Sequence, residues 1–231
     1  MNSTALAILA KCPIPGKAKT RLQPRISPED SARLQEALIL DTVFKARDIP
    51  GIDAFIGCPP SDGKSFFKDL QKKTGIGTFL QKGETLGEKI QNVFREKFGQ
   101  GYEKVAVIGV DSPTFPPEFL TEAALALDES DAVVGPTVDG GYYLVGMKGN
   151  FKPILPDGDM GHERVLQEAL DRCERLGLKT STLPPWYDLD AFPDLEFAAT
   201  HIRLLKLAGK YHPRRTGKLL ERIFSNLKSE I

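Results

Sequence analysis

An apolar run near the middle of the chain limits the fold more than any other feature. The run contains no polar residue and consists of Val105, Ala106, Val107, Ile108 and Val110. Strands of a parallel sheet that are covered on both faces have this pattern, so the run predicts a central strand. Ligands of open α/β sheets bind beyond the carboxyl ends of such strands.

Asp111 ends this run and has two interpretations. A carboxylate just beyond a central strand lies where a ligand would bind. Aspartate is also a common helix cap, and a helix is predicted to begin near Pro116 or Pro117. This stretch alone leaves both interpretations open.

Apolar runs alternate with amphipathic segments along most of the chain. The predicted strands are residues 4–10, 52–58, 76–81, 104–110, 131–135, 142–147 and 179–183. The predicted helices are residues 27–47, 65–73, 85–98, 117–127, 163–175 and 194–207. Units of this size imply right-handed crossovers, and they predict one α/β domain with a mainly parallel sheet over residues 1–205.

The C-terminal residues 206–231 differ in character, because basic residues outnumber acidic ones there. One face of a helix would carry the apolar residues Leu219, Leu220, Ile223, Phe224 and Leu227. We expect a basic amphipathic helix that packs on the body or on a second subunit, which would make a homodimer. A membrane-surface helix is the alternative interpretation.

Charge and cysteine content argue against several function classes. Lys and Arg total 31, as do Asp and Glu, so the chain lacks the basic field that nucleic-acid binding uses. The N-terminus has no basic signal-peptide region and no apolar run approaches a membrane span, so we expect a cytoplasmic protein. Three cysteines without Cys-x-x-Cys spacing disfavour a disulfide framework and a structural zinc site.

The loop after the first strand concentrates positive charge. Four cations lie within eleven residues, together with Gly16: Lys11, Lys17, Lys19 and Arg21. Their mutual repulsion would be relieved by a phosphate-rich ligand, which arginine can bind with two hydrogen bonds and lysine as a point charge. The loop is neither a Walker P-loop nor a Gly-x-Gly-x-x-Gly turn. A solvated basic loop is the alternative.

Four motifs in sequence order resemble those of a known family. They are Pro-Ile-Pro-Gly-Lys-Ala-Lys-Thr-Arg-Leu from Pro13, Gly-Val-Asp-Ser-Pro from Gly109, Asp-Gly-Gly-Tyr-Tyr-Leu-Val-Gly from Asp139, and Pro-Pro-Trp-Tyr-Asp-Leu-Asp from Pro184. Residues 4–205 thereby resemble a bacterial uncharacterised-domain family that is nucleotide-diphospho-sugar transferase-like. The family is distantly similar to 2-phospholactate guanylyltransferases and molybdenum-cofactor nucleotidyltransferases. The resemblance implies a Rossmann-like three-layer sandwich of glycosyltransferase A type, with a mainly parallel mixed sheet.

The resemblance also implies a divalent cation, Mg²⁺ or Mn²⁺, held against nucleotide phosphates by Asp111. Either Asp188 or Asp190 would be a second ligand, and Asp190 is preferred because it lies nearer the next helix start. Oxygen ligands suit these cations, and the lack of a His/Cys cluster disfavours zinc. Asp111 would be catalytic because the leaving pyrophosphate must be neutralised.

The remaining site residues also follow from the resemblance. The phosphates would meet Arg21, Lys19 and Lys17, while Lys11 either joins them or caps the strand end. The base and ribose would be lined by Gly83, Leu86 and Gly87, with Thr85 as a ligand contact or a helix cap. The acceptor or sugar would be bordered by Asp139, Gly140, Gly141 and Tyr142. Asp139 would orient a hydroxyl or act as a base, although Asp-Gly commonly forms turns.

The sequence also suggests roles for two further residues, Asp41 and His162. Asp41 shares a helix face with Leu34 and Leu38, so it should be buried and needs a cationic partner, for which Arg21 or a neighbouring lysine is predicted. His162 begins a helix where the family more often has a Trp-Ser-Thr-like sequence, and its role is structural or acceptor-related.

Three functions remain open at this point. The first is a glycosyltransferase that joins a sugar from a nucleotide-diphosphate sugar to a small-molecule acceptor. The second is a nucleotidyltransferase that releases pyrophosphate; the Lys-Thr-Arg-Leu loop favours it, but its usual Gly-Gly-x-Gly-x-Arg loop is absent. The third is a non-catalytic nucleotide-binding protein.

Overall fold

The computed structural model describes residues 3–60, 63–155, 160 and 162–229. Within these residues seven strands form one sheet in the order β3-β2-β1-β4-β6-β5-β7. The strands are β1 (Thr4–Leu9), β2 (Ile52–Cys58), β3 (Gly77–Leu80), β4 (Lys104–Ile108), β5 (Ala132–Pro136), β6 (Tyr142–Lys148) and β7 (Thr180–Thr182). β6 is antiparallel to β4 and β5, and the other neighbours pair in parallel. The predicted mainly parallel mixed sheet is confirmed.

Helices cover both faces of this sheet and make a three-layer sandwich. They are α1 (Pro28–Ala46), α2 (Lys64–Thr74), α3 (Leu86–Gly99), α4 (Glu118–Glu129), α5 (Val165–Arg175), α6 (Phe192–Leu207) and α7 (Arg214–Ser229). One core packs the sheet against α1, α2, α4, α6 and α7, and the other packs it against α3 and α5. β4 contributes Ala106 and Ile108 to the first core and Val105 and Val107 to the second, which confirms that it is central.

Several element boundaries differ from the sequence prediction. β4 ends at Ile108, whereas Val110 is buried in the core outside the strand ladder. The apolar run is therefore longer than the strand, because burial continues to Val110 whereas strand pairing ends at Ile108. A short 3-10 helix over Thr20–Leu22, which was not predicted, lies in the basic loop.

The helix after β4 does not use Asp111 as its cap. Pro117 occupies the position before the first residue of α4, and no side chain caps that helix. The capping interpretation of Asp111 is therefore wrong. Thr85 does cap α3, because its hydroxyl accepts a hydrogen bond from the Glu88 amide in a capping box.

The predicted partner of Asp41 is wrong, although its burial is confirmed. Asp41 is 4% exposed, and it accepts hydrogen bonds from the backbone amides of Arg215 and Thr216. The Arg215 guanidinium and the Thr216 hydroxyl also donate to it. The reason is that α7 packs on α1 and presents its N-terminus to this carboxylate, while Arg21 contacts Asp190 instead.

The C-terminal segment packs through its apolar face. Leu220 and Ile223 of α7 are buried in the core beside α1. A domain division at residue 205 and a homodimer both stay predictions, and residues 230–231 lie outside the described part of the chain. No helix in the described residues combines the length and apolar character needed to cross a membrane. The described cysteines Cys12, Cys58 and Cys173 form no disulfide.

Candidate active site

A cavity of about 910 Å³ lies at the carboxyl ends of the central strands. Most of its wall comes from six segments that are distant in sequence: the loop after β1, the residues after β3, the turn after β4, the β5–β6 turn, the residues just before α5 and the segment after β7. Because parallel strands end at the same edge of a sheet, the fold brings these loops together.

Lys19 joins the first loop to two carboxylates inside this cavity. Its Nζ lies 2.6 Å from Asp111 Oδ1 and 3.0 Å from Asp190 Oδ1, and it donates to the Leu189 carbonyl at 2.6 Å. The Lys19 side chain is 7% exposed, whereas those of Asp111 and Asp190 are 42% and 39% exposed. Both carboxylates therefore keep surface that a ligand can reach.

The backbone at Lys19 is unusual. Its φ of 47° is the one positive φ among the described non-glycine residues. Such a conformation costs on the order of 1–3 kcal/mol and persists where the surroundings enforce it. The three contacts of the lysine ammonium tie this residue to Asp111, Leu189 and Asp190.

Charge alters the pKa values of this cluster. Burial lowers the pKa of Lys19, but the nearby Asp111 and Asp190 outweigh that effect and raise it. Burial raises the pKa of Asp190, but Lys19 and Arg21 outweigh it and lower it. Lys19 and Asp190 are therefore both charged at neutral pH.

Asp188 lies beside this cluster and differs from Asp190. Its carboxylate accepts a hydrogen bond from the Ser112 hydroxyl. Burial raises the pKa of Asp188 to about 7, with further repulsion from Asp111, Asp139 and Asp190 and an opposing effect of Ser112. Asp188 is therefore partly protonated near neutral pH.

The backbone also fixes the late segment to the end of β4. The Leu189 amide donates to the Asp111 carbonyl at 2.8 Å. Asp188 and Asp190, on either side of Leu189, therefore face the same cavity from one anchored segment.

The predicted phosphate-binding side chains line the cavity. They are Lys11, Lys17, Lys19 and Arg21. Arg21 is 71% exposed and lies 3.3 Å from Asp190. Gly16 lies outside the cavity lining and forms a turn with φ of 78°.

Only one of the three residues predicted to bind base and ribose lines the cavity. Leu86 lines the cavity, as do Glu84 and Thr85. Leu86 is 48% exposed. Gly83 and Gly87 are not among the lining residues. Gly83 instead allows close packing, because a Cβ there would lie 2.7 Å from Glu88 Cβ.

Three of the four residues predicted to border the sugar or acceptor line the cavity. Asp139, Gly141 and Tyr142 line the cavity, but Gly140 does not. The Asp139 carboxylate accepts hydrogen bonds from the Thr137 hydroxyl and the Gly141 amide, as expected of a turn-forming aspartate.

His162 also lines the cavity. Its Nδ1 accepts a hydrogen bond from the Arg164 amide at 3.3 Å. The ring is thus held at the cavity by a local contact just before α5.

Several contacts that shape the site were missed in the sequence. Gln81 is buried and donates to the carbonyls of Ala10 and Gly57, which ties the ends of three neighbouring strands together. Gln35 donates to the Lys11 carbonyl. No local pattern marks a glutamine as buried, so these contacts had no sequence signal. Ser112 could have been found, because it stands beside Asp111 in the strand-end motif.

The donor set fits a cation that binds together with a ligand. No group of three or more His, Cys, Asp or Glu side chains within the described residues is placed to hold a metal ion. Mg²⁺ is usually bound by one or two carboxylates plus substrate phosphates, and Asp111 and Asp190 supply two carboxylates with accessible surface. These carboxylates already attract the Lys19 ammonium between them.

The sheet order, the antiparallel β6 and the site at the strand ends define a Rossmann-like fold of the nucleotidyltransferase and glycosyltransferase A type. Residues 42–162 match the model of a family described as uncharacterized protein conserved in bacteria, DUF2064. This match covers more than half of the chain, and the chain belongs to that family. No curated protein matches it.

Solved structures share the whole fold. A protein from Desulfovibrio desulfuricans G20, proposed to be a nucleotide-diphospho-sugar transferase, is 27% identical, with a TM-score of 0.84 over 99% of this chain and 98% of that one. A cytidylyltransferase from Leptospira borgpetersenii serovar Hardjo-bovis has 11% identity and a TM-score of 0.53 over 99% and 96%. A 4-diphosphocytidyl-2C-methyl-D-erythritol synthase from Anaerococcus prevotii DSM 20548 has 16% identity and a TM-score of 0.53 over 87% and 96%.

Proposed function

We propose that this protein is a nucleotide-dependent transferase, and specifically a glycosyltransferase that uses a nucleotide-diphosphate sugar and a divalent cation. The observation that carries this proposal is the meeting of Lys19 with Asp111 and Asp190 inside one large cavity. The similarity to the Desulfovibrio protein over nearly the full length of both chains supports the choice of donor.

The first loop would bind the diphosphate of the donor. Lys11, Lys17 and Arg21 line the same cavity as the carboxylates. The positively charged side chains and the carboxylates that would bind a metal ion can therefore contact the same nucleotide. Arginine can bind phosphate oxygens with two parallel hydrogen bonds, and lysine contributes charge. Glu84, Thr85 and Leu86 also line this cavity and would border the base and ribose.

Asp111 and Asp190 would hold Mg²⁺ or Mn²⁺ together with phosphate oxygens, with Asp188 as a further oxygen ligand. When bound, such a cation neutralises charge on the diphosphate leaving group. Lys19 holds the two carboxylates in place and adds a positive charge beside them. A nucleotide would gain an attraction from the chain's own cations even before the metal binds.

The β5–β6 turn would border the sugar and its acceptor. Asp139, Gly141 and Tyr142 line the wall beside Asp188, and His162 lies on the same side of the cavity. We assign the base role to Asp139, whose carboxylate is oriented by Thr137 and Gly141. It would accept the proton of the attacking acceptor hydroxyl.

Nucleotidyl transfer is the second candidate, and one observation favours it. Four cations of the first loop line the cavity, which suits a triphosphate as well as a diphosphate. In that reaction an acceptor phosphate would attack the nucleotide, and pyrophosphate would leave towards the basic loop.

The two reactions give different products, and this separates them. Each of UDP-, GDP-, ADP- and CDP-glucose is incubated with the protein and Mn²⁺, and nucleoside diphosphate release is measured. CTP and GTP are incubated with Mg²⁺ and sugar phosphates, and pyrophosphate release is measured. Sugar-nucleotide turnover supports glycosyl transfer, and pyrophosphate release supports the second candidate.

Two variants test whether the site itself is responsible. Asp111→Asn should lower turnover at least roughly a hundredfold, the usual scale for removing one preorganised electrostatic group. Asp48→Asn is the matched control, because Asp48 is 73% exposed and pairs with Arg47 away from the cavity. Equal turnover in both variants would contradict the proposal, as would a wild type that neither binds nor converts any of these nucleotides.

A further inference from the structure

Lys45 is a buried lysine that lies outside the cavity yet contacts the turn that carries Asp111. It belongs to α1 and is 6% exposed. Its Nζ donates to the carbonyl oxygens of Pro113 at 3.3 Å and Phe115 at 3.2 Å. The same atom lies 3.1 Å from the centroid of the Phe115 ring. A side chain from α1 thus binds the turn after β4 at two points.

Burying this lysine is costly, so its polar contacts must compensate. Burial lowers the pKa of Lys45 well below its ordinary value, while Asp41, one helical turn earlier, opposes that shift. An amine nitrogen carries N–H donors in either protonation state. The contacts with Pro113 and Phe115 therefore persist whether or not Lys45 is charged, and losing the Lys45 donor at these buried carbonyls is unfavourable.

The opposite side of the same turn is held by the late segment. The Trp186 indole donates to the Thr114 hydroxyl at 2.9 Å. The Leu189 amide donates to the Asp111 carbonyl at 2.8 Å. Residues 111–115 are therefore fixed between α1 on one side and residues 186–190 on the other.

The segment that leads into α7 lies near Lys45. Asp41 binds the N-terminus of α7 through Arg215 and Thr216, one turn away from Lys45 on α1. The ring of Tyr211, just before α7, lies with its centroid 5.5 Å from the lysine Nζ. The segment that leads into α7 thus packs beside the contact between Lys45 and the turn.

We infer that Lys45 is a positioning residue that fixes the Asp111 carboxylate through the Pro113–Phe115 turn. The inference rests on the proposed function, because a misplaced Asp111 matters only if that carboxylate serves a bound nucleotide and cation. Lys45 does not line the cavity, so its effect has to pass through the turn. Misplacing a group of an active site by about 1 Å can lower the reaction rate as much as a hundredfold.

Lys45→Met removes the donors and keeps an unbranched apolar side chain. Lys97→Met is a matched control, because Lys97 is also buried, at 2% exposed, and lies 3.7 Å from the Phe55 ring centroid. Lys97 belongs to α3 on the other face of the sheet and binds Gln100 rather than the site. If Lys45→Met is unfolded at the assay temperature, Lys45→Leu, which also lacks a donor, replaces it with the same expected direction.

The first measurement is hydrogen exchange of ligand-free protein by mass spectrometry. Peptides covering residues 109–116 should exchange faster in Lys45→Met than in wild type, and at the wild-type rate in Lys97→Met. Unchanged exchange there would overturn the inference whatever the protein binds. This readout needs no ligand.

The second measurement is affinity for a nucleoside diphosphate. The probe is whichever of ADP, CDP, GDP and UDP raises the wild-type melting temperature most, with and without Mn²⁺. We expect the Mn²⁺-dependent gain in affinity to fall roughly tenfold or more in Lys45→Met and to persist in Lys97→Met. A full gain in Lys45→Met would overturn the inference. A wild type that binds no probe would contradict the proposed function instead, and the exchange rates would still decide whether Lys45 holds the turn.

Discussion

The Lys19 ammonium lies 2.6 Å from Asp111, and this contact joins the loop after β1 to the end of β4. The same ammonium reaches Asp190 at 3.0 Å, so three distant parts of the chain meet at one lysine. A transferase site of the proposed kind needs phosphate-binding cations and cation-binding carboxylates to face one space. Lys19 is the residue through which this fold brings the two sets together.

Removing the Lys19 charge should affect both stability and cation binding. In Lys19→Met the free energy of unfolding should fall by roughly 1–3 kcal/mol, less than for a fully buried pair because both carboxylates are partly exposed. Mn²⁺ without nucleotide should then stabilise the variant more than the wild type, because two carboxylates lose their counter-ion. Denaturant unfolding with and without Mn²⁺ measures both effects.

Lys82→Met is the control for that comparison, since Lys82 is 63% exposed and pairs with Glu96 outside the cavity. It should leave both stability and the Mn²⁺ response unchanged. A Lys19→Met protein that unfolds like the control would show that the ion pair contributes nothing.

Asp41 should matter for the attachment of α7. In Asp41→Ala the donors of Arg215 and Thr216 lose a buried acceptor, which should destabilise the protein by about 3–5 kcal/mol. Asp30→Ala is a matched change on the same helix, because Asp30 pairs with Arg222 of α7 at the surface and should cost about 1 kcal/mol. Thermal unfolding compares the two, and equal losses would contradict the assigned role of Asp41.

Gly140 should not tolerate a side chain. A Cβ at Gly140 would lie 1.9 Å from the Glu163 carbonyl oxygen, in addition to the strain of its φ of 90°. Gly149 has a φ of 75° but no atom within 4 Å of such a Cβ. Gly140→Ala should therefore cost at least about 1 kcal/mol more than Gly149→Ala, which carries backbone strain alone. Denaturant midpoints that agree would rule out the close packing.

Asp188 should make stability depend on pH in an identifiable window. Its folded pKa of about 7 lies above the ordinary value of 3.8, so between these values the folded state binds more protons than the unfolded state. Stability should therefore fall as pH rises from about 4 to about 7, relative to Asp188→Asn. Unfolding of the two proteins across that range, without divalent cations, gives the difference. A constant difference would contradict the raised pKa.

Much of the fold was readable in the sequence because apolar periodicity directly reflects burial. The run at Val105–Val110 predicted a central strand, and the structure buries its side chains on both faces of the sheet. The strand-end position of Asp111 and the basic loop also followed, since parallel strands end at one edge.

The sequence did not show which residues pair with buried polar side chains, because such pairing depends on how elements that are distant in sequence pack together. Asp41 was correctly predicted to be buried, but its partner Arg215 lies 174 positions away on a helix whose docking the sequence did not define. Gly140 offered a similar ambiguity, since a glycine needed for a ligand and one needed for Glu163 look alike in sequence. Lys45 had no signal at all, as a lysine on a helix is ordinarily exposed.

The central claim is that Asp111 and its partners bind the diphosphate of a nucleotide with a divalent cation. Calorimetric titration of the best-binding nucleoside diphosphate into wild type and Asp111→Asn, with and without Mn²⁺, tests it most directly. We predict tighter binding with Mn²⁺ for the wild type, and for Asp111→Asn at least roughly tenfold weaker binding that Mn²⁺ does not improve. Equal affinities and equal Mn²⁺ responses in the two proteins would contradict the claim.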